Sequence, residues 1–148
     1  MSDEGIRGII GSFAIFGYNR IQATLQRWEG RHHMQPINTK AIQQRIDRMK
    51  DQDLYLHLEL TTGAYAAHLD SSKHPAATFV SNAVIRYTHG SISEGDGPYR
   101  VGLKMPQGWV YSEGLTHYEE SDTERLIMAG HDSRGKLVVA LQLSREPF

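Results

Sequence analysis

The sequence predicts a mainly β protein, an antiparallel β-sandwich or partly closed barrel with one short N-terminal helix. Three observations carry that prediction. From Asp53 onward, apolar residues recur with a period of two. Glycine-containing turns punctuate the chain at short intervals, as in sandwiches and barrels. At least seven strand-like runs follow one another, with a single helical stretch in front of them.

The helix is expected over about 40–50, with Thr39 as its N-cap and Ile42, Ile46 and Met49 forming one apolar stripe. Next come Leu54, Leu56, Leu58 and Leu60, alternating with Tyr55, His57 and Glu59, the pattern of a half-buried strand. Thr62-Gly63 reads as a turn and AYAAHL as the returning strand. In that register Leu60 faces Tyr65, Glu59 faces Ala66 and His57 faces His68. After the loop DSSKHPA, the run FVSNAVIRYTH has apolar residues on both faces and reads as a buried or bulged strand. SEGDGP is a glycine-rich connection. YRVGLKM and WVYSEGLTHY flank Pro106-Gln107-Gly108, a type I turn with a glycine bulge. Asp132-Ser133-Arg134-Gly135 joins RLIMAGH to KLVVALQL in a hairpin apolar on both faces, hence central. Its expected register sets Ile127, Ala129 and His131 against Leu137, Val139 and Leu141, with Leu126 and Met128 facing the other way beside Val138 and Ala140.

The chain has 148 residues, 39% of them hydrophobic and 22% charged, an ordinary globular composition. A formal net charge of −1 gives nucleic acid or an anionic membrane no broad electrostatic attraction. With no cysteine, disulfides, thiolate metal ligands, Fe–S clusters and a cysteine nucleophile are excluded together, and the cytosol is the expected location. The longest apolar run, IIGSFAIFGY, is too short to span a bilayer, and the acidic MSDEG before it is wrong for a secretory signal.

Residues 1–33 differ in style from the rest. Trp28-Glu29-Gly30 back-translates to TGGGARGGN, and three codons later comes Met34, the spacing of a bacterial ribosome-binding site ahead of a start. Residues 1–33 are therefore expected to be a non-native leader or upstream extension, and 34–148 a single β-rich domain. The alternative is a helical appendage carrying Ile21, Leu25 and Trp28.

Three constellations bear on chemistry. His57, Glu59 and His68 converge on the face opposite the leucines, and two imidazoles with a carboxylate suit zinc or iron(II); a solvated sheet face or a hydrogen-bonded histidine pair accounts for the same pattern. Glu113 is expected among Tyr99, Val101, Leu103, Trp109, Tyr111 and Leu115, where an apolar setting makes a carboxyl group a candidate acid or base, with His117 and His131 as companions. Against this, a second bulge at Gly114 would turn Glu113 outward towards Arg100. Tyr99, Trp109 and Tyr111 form a candidate binding patch. Arg100 and Lys104 share one strand face and offer an anion contact. GDGPYRVG precedes a strand rather than a helix and lacks the Lys-Ser/Thr ending of a phosphate loop, so it is read as a turn. No G-x-S-x-G elbow or H-E-x-x-H helix is present.

Taken together, LELTTGAYAAHL, GDGPYRVGLK, GWVYSEGLTHYE and RLIMAGHDSRGKL resemble the YojF-like family of uncharacterised proteins from Bacillus and relatives. The resemblance covers 34–148, implies a compact and mainly β domain, and supports a start at Met34. It brings no established catalytic residues. Its members resemble genome neighbours of a zinc-dependent deacetylase in bacillithiol synthesis, which implies a role beside that enzyme; without cysteine the chain is not itself a thiol carrier. The expected function is therefore a non-catalytic accessory module without a cofactor, self-associating into a homo-oligomer through a sheet edge or the aromatic patch. A small metal- or carboxylate-dependent enzyme is the alternative.

Overall fold

The computed structural model describes residues 34–61, 72, 74 and 76–148. The leader assigned to 1–33, the returning strand AYAAHL and His68 lie outside the described residues. No helix among the described residues is long and apolar enough to cross a membrane.

The helix, α1 (Thr39–Met49), is capped one residue earlier than expected. Asn38, in extended conformation, accepts a hydrogen bond from the Ala41 amide at 3.1 Å through its side chain. Asparagine satisfies an otherwise orphaned amide here as threonine would. The stripe is as read, with Ile42, Ile46 and Met49 all buried, and Arg45 is buried within it. Asp51, at φ 61°, turns the chain into the first long strand.

Nine strands are described: β1 (Met34–Pro36), β2 (Leu54–Thr61), β3 (Ala77–Ile85), β4 (His89–Ile92), β5 (Tyr99–Met105), β6 (Gly108–Leu115), β7 (His117–Glu119), β8 (Leu126–His131) and β9 (Leu137–Ser144). They form a six-stranded sheet, ordered β1-β7-β8-β9-β2-β3, and a three-stranded sheet, β4-β5-β6, with every pairing antiparallel. Among the described residues neither sheet closes on itself, so the architecture is sandwich-like rather than a closed barrel. One core joins Ile42, Ile46 and Met49 of α1 to Leu54 and Leu56 of β2, Val101 and Leu103 of β5, and the inward residues of β8 and β9. Tyr87, fully buried, donates its hydroxyl to the Ile46 carbonyl at 2.6 Å.

The sheets meet where β6 crosses β8. A Cβ on Gly130 would lie 2.0 Å from the Gly114 carbonyl oxygen and 2.5 Å from Val139 Cγ1. Gly130 is thus required for close backbone approach, and Gly114, at φ +94°, for the bend that brings β6 there.

Several expected pairings are corrected. Both edges of β2 are occupied, by β3 (Leu54↔Ile85 to Thr61↔Ala77) and by β9 (Tyr55↔Ser144 to Leu60↔Val139), so the place assigned to 64–69 is taken by Ala77–Ile85. β3 is bulged as expected, at Ser81-Asn82 with Asn82 at φ 53°, but it is largely exposed rather than buried and is the edge strand among the described residues. In the β5–β6 hairpin Met105 faces Gly108 directly. Gly108 has an extended φ of 158° and forms no bulge, so every pairing up to Glu113 slips by one from the expected register. The β8–β9 hairpin is central and buried, as expected. An irregularity at Gly130/His131, however, sets Ile127 and Ala129 against Gln142 and Ala140, and Leu126 and Met128 against Leu143 and Leu141.

Candidate functional site

The outer face of the three-stranded sheet is built from alternate residues of three short strands. His89, Lys104 and Trp109 form one cross-strand row, Ser91, Gly102 and Tyr111 the next, and Arg100 faces Glu113 beyond them. Val101, Leu103, Ser112 and Leu115 point the other way and are buried, and this fixes the outward residues by period two. Trp109 is 65% exposed and Tyr111 53%. The Lys104 ammonium lies 5.8 Å from the Trp109 ring centroid, and the Tyr111 hydroxyl donates to Glu113 Oε2 at 2.6 Å. Gly102, with open space above it, leaves a shallow step in the floor between Ser91 and Tyr111.

This arrangement sorts the sequence-predicted residues differently from the expectation. Trp109, Tyr111, Arg100 and Lys104 come together on one open face. Glu113 joins them there, exposed and facing Arg100 with the register irregularity at Gly114, as the reading with a second bulge has it and not in the apolar setting. Tyr99 leaves the group: it packs against the core, and its ring lies beneath Gly97. His89 and Gly102 were not singled out from the sequence, because their place depends on the β4–β5 register, which no local signal discloses.

His117 and His131 do meet. Their rings are edge to face at 5.2 Å, with Thr116 between them: its hydroxyl lies 2.7 Å from His117 Nδ1 and accepts from the His131 amide at 3.1 Å. Among the described residues no hydrogen bond or ion pair joins Glu113 to this pair.

His57 and Glu59 lie on the face of β2 opposite Leu56 and Leu58, as read from the sequence, but that face is not solvated. His57 is 5% exposed and Glu59 4%, with Gln142 and Ser144 of β9 buried on the same face. His57 packs edge to face against Phe79 at 5.1 Å and Phe148 at 6.0 Å. His57 Nε2 and Glu59 Oε2 are 3.7 Å apart, and neither atom has a hydrogen-bond partner among the described residues. Among the described residues no group of three His, Asp or Glu side chains is placed to hold a metal ion. Leucines at one end of the strand are less covered than these polar groups, Leu60 being 43% exposed.

A cleft of about 160 Å³ lies at the end of α1, lined by four arginines, Arg45, Arg48, Arg125 and Arg145, with Thr123 and Glu124. Arg45 is structural as well: its guanidinium donates to the carbonyls of Glu119, Glu120 and Asp122 at 2.6–2.8 Å and stacks over Tyr118. The Tyr118 hydroxyl has its pKa raised, chiefly by burial.

Residues 36–148 match the family described as protein of unknown function (DUF1806). The chain is 44% identical over 115 residues to the uncharacterized protein YojF of Bacillus subtilis (strain 168), a match that covers 78% of this chain and 98% of the relative. The crystal structure of the Bacillus subtilis YojF protein is similar, with a TM-score of 0.63 and 41% identity over 78% of this chain and 96% of that one.

Proposed function

The chain belongs to the DUF1806 family of proteins of unknown function, and we propose that it is a non-catalytic binding module that docks a protein partner through the outer face of β4-β5-β6. The observation that carries this reading is the pair Trp109 and Tyr111, both more than half exposed at alternate positions of one strand. Large rings held by a sheet bury much area at little entropic cost, which is why they anchor interfaces. The charges around them are mixed, Lys104 and Arg100 with Glu113, so the rim suits a protein surface better than a polyanion. The partner proposed is the zinc-dependent deacetylase of bacillithiol synthesis, whose genome neighbours the YojF-like proteins resemble.

Calorimetry and gel filtration of the two proteins mixed at micromolar concentration test this. A complex is expected, with only moderate salt dependence. Trp109→Ala weakens it by at least about 2 kcal/mol, roughly thirtyfold in Kd, as for a central anchor. His57→Ala weakens it less. If no complex forms and deacetylase turnover is unchanged, the reading fails in this form.

A second reading, a small metal- or carboxylate-dependent enzyme, is favoured by one observation, the buried His57 Nε2 and Glu59 Oε2, 3.7 Å apart and without a hydrogen bond among the described residues. Stoichiometric zinc or iron in protein purified without a histidine tag, lost in His57→Ala, would support it over docking.

A further inference from the structure

The arginine-lined cleft at the end of α1 carries a chemistry that docking through the other sheet does not use. Four guanidiniums meet a single carboxylate in its lining, within a chain whose formal net charge is −1. Two of the four are neutralised locally. Arg125 Nε is 2.7 Å from Asp122 Oδ2, and Arg145 Nη1 is 3.5 Å from Glu124 Oε2. The other two are not. Arg45, 7% exposed, is solvated by three backbone oxygens, whose dipoles stabilise its charge without cancelling it. Arg48, on the exposed side of the last turn of α1, makes no hydrogen bond or ion pair through its guanidinium among the described residues.

Two uncancelled positive charges thus border a cavity of about 160 Å³, smaller than the roughly 300 Å³ at which pockets for drug-sized ligands begin. Guanidinium forks match pairs of phosphate oxygens, and a doubly charged, three-oxygen group matches both the charge and the size. We propose that this cleft binds a phosphate dianion, free or as the monoester of a small metabolite. Arg48 clasps it together with Nη2 of Arg145, the guanidinium nitrogen that Gln52 and Glu124 leave unengaged among the described residues, Arg45 supplies fixed positive charge, and Thr123 offers a hydroxyl. Glu124, held by Arg145, sets the boundary of the site and disfavours a larger polyanion.

The test is calorimetry on the full chain with inorganic phosphate and with ribose 5-phosphate, each against sodium chloride at equal ionic strength. Both ligands are expected to bind, with Arg48→Glu weakening them at least tenfold, about 1.4 kcal/mol. Because the Arg48 guanidinium makes no hydrogen bond or ion pair among the described residues, that variant should stay folded, losing only the modest contribution of a cation in the last turn of the helix. Arg145→Gln should weaken binding too, and Arg134→Glu, in the β8–β9 turn, should not. Tighter binding of ribose 5-phosphate assigns the site to phosphorylated metabolites, and equal binding to free phosphate. Heats no larger than those of sodium chloride, or wild-type affinity in Arg48→Glu, overturn the proposal.

Discussion

Replacing Gly130 with alanine tests how the two sheets are joined. The added methyl would stand 2.0 Å from the Gly114 carbonyl oxygen, 2.8 Å from its carbon and 2.5 Å from Val139 Cγ1, where real Cβ contacts essentially never fall under 3.0 Å. Val139 can rotate, but Gly114 presents backbone, so β6 must retreat from β8 by about 1 Å and take the inward-facing Leu115 with it. Overpacking of this kind costs about 1–3 kcal/mol, and an obstacle made of backbone puts the cost near the top of that range. Alanine is better than glycine in a strand by about 0.5–1 kcal/mol, which offsets part of it. A net loss of about 2 kcal/mol is expected, roughly 6–12 °C in Tm for a domain of this size. Gly102→Ala, where the methyl meets open space, is the control and should be neutral or slightly stabilising. Urea unfolding followed by circular dichroism gives both values. Equal midpoints for Gly130→Ala and Gly102→Ala would refute the crossing of β6 over β8.

The buried His57–Glu59 pair should behave as a unit: His57→Leu alone costs about 3 kcal/mol in urea unfolding because it leaves the buried polar side chain of Glu59 facing an apolar one, whereas His57→Leu with Glu59→Met stays within about 1 kcal/mol of wild type. Additive losses in that cycle would contradict the pairing. Arg45→Met should lose about 3 kcal/mol or more, since three carbonyls of the β7–β8 connection lose their donor at once; faster amide exchange at 119–122 reports it, and unchanged exchange there would count against it. The amides of Lys136 and Arg134 hold the Asp132 carboxyl below its ordinary value of 3.8. Its contribution to stability is therefore full above that value and lost as pH falls through the lower folded one. Asp132→Ser should accordingly show a shallower fall of Tm below about pH 4 than wild type, and parallel curves would exclude the effect.

Much of this was legible from spacing alone. The stripe Ile42, Ile46 and Met49 set the helix face, and the alternation of leucines with His57 and Glu59 separated the two faces of β2. The burial of Arg45 was not legible, because the carbonyls it serves lie 74 to 77 positions further along the chain. The cover over His57 and Glu59 was hidden for the same reason, since period two says which residues share a face and nothing about what lies on it. Hairpin registers failed by one at Gly108 and at Gly130/His131. Whether a glycine bulges depends on its φ, and a one-residue slip exchanges the faces of two strands relative to each other. Trp109 and Tyr111 kept each other's company through that slip because they share a strand, while Tyr99 and Arg100 changed places around them.

The last residue described, Phe148, is bound to the side chain of Asn82: its amide donates to Asn82 Oδ1 at 2.8 Å and its backbone oxygen accepts from Asn82 Nδ2 at 3.4 Å. The asparagine amide imitates a peptide unit at the very place where the bulge interrupts the outer ladder of the six-stranded sheet. An incoming strand would find that rim kinked and partly occupied, so templated growth of fibrils along β3 is discouraged even though Phe79 and Val84 stand exposed on it. A purification tag joined directly to Phe148 would pull at this clasp.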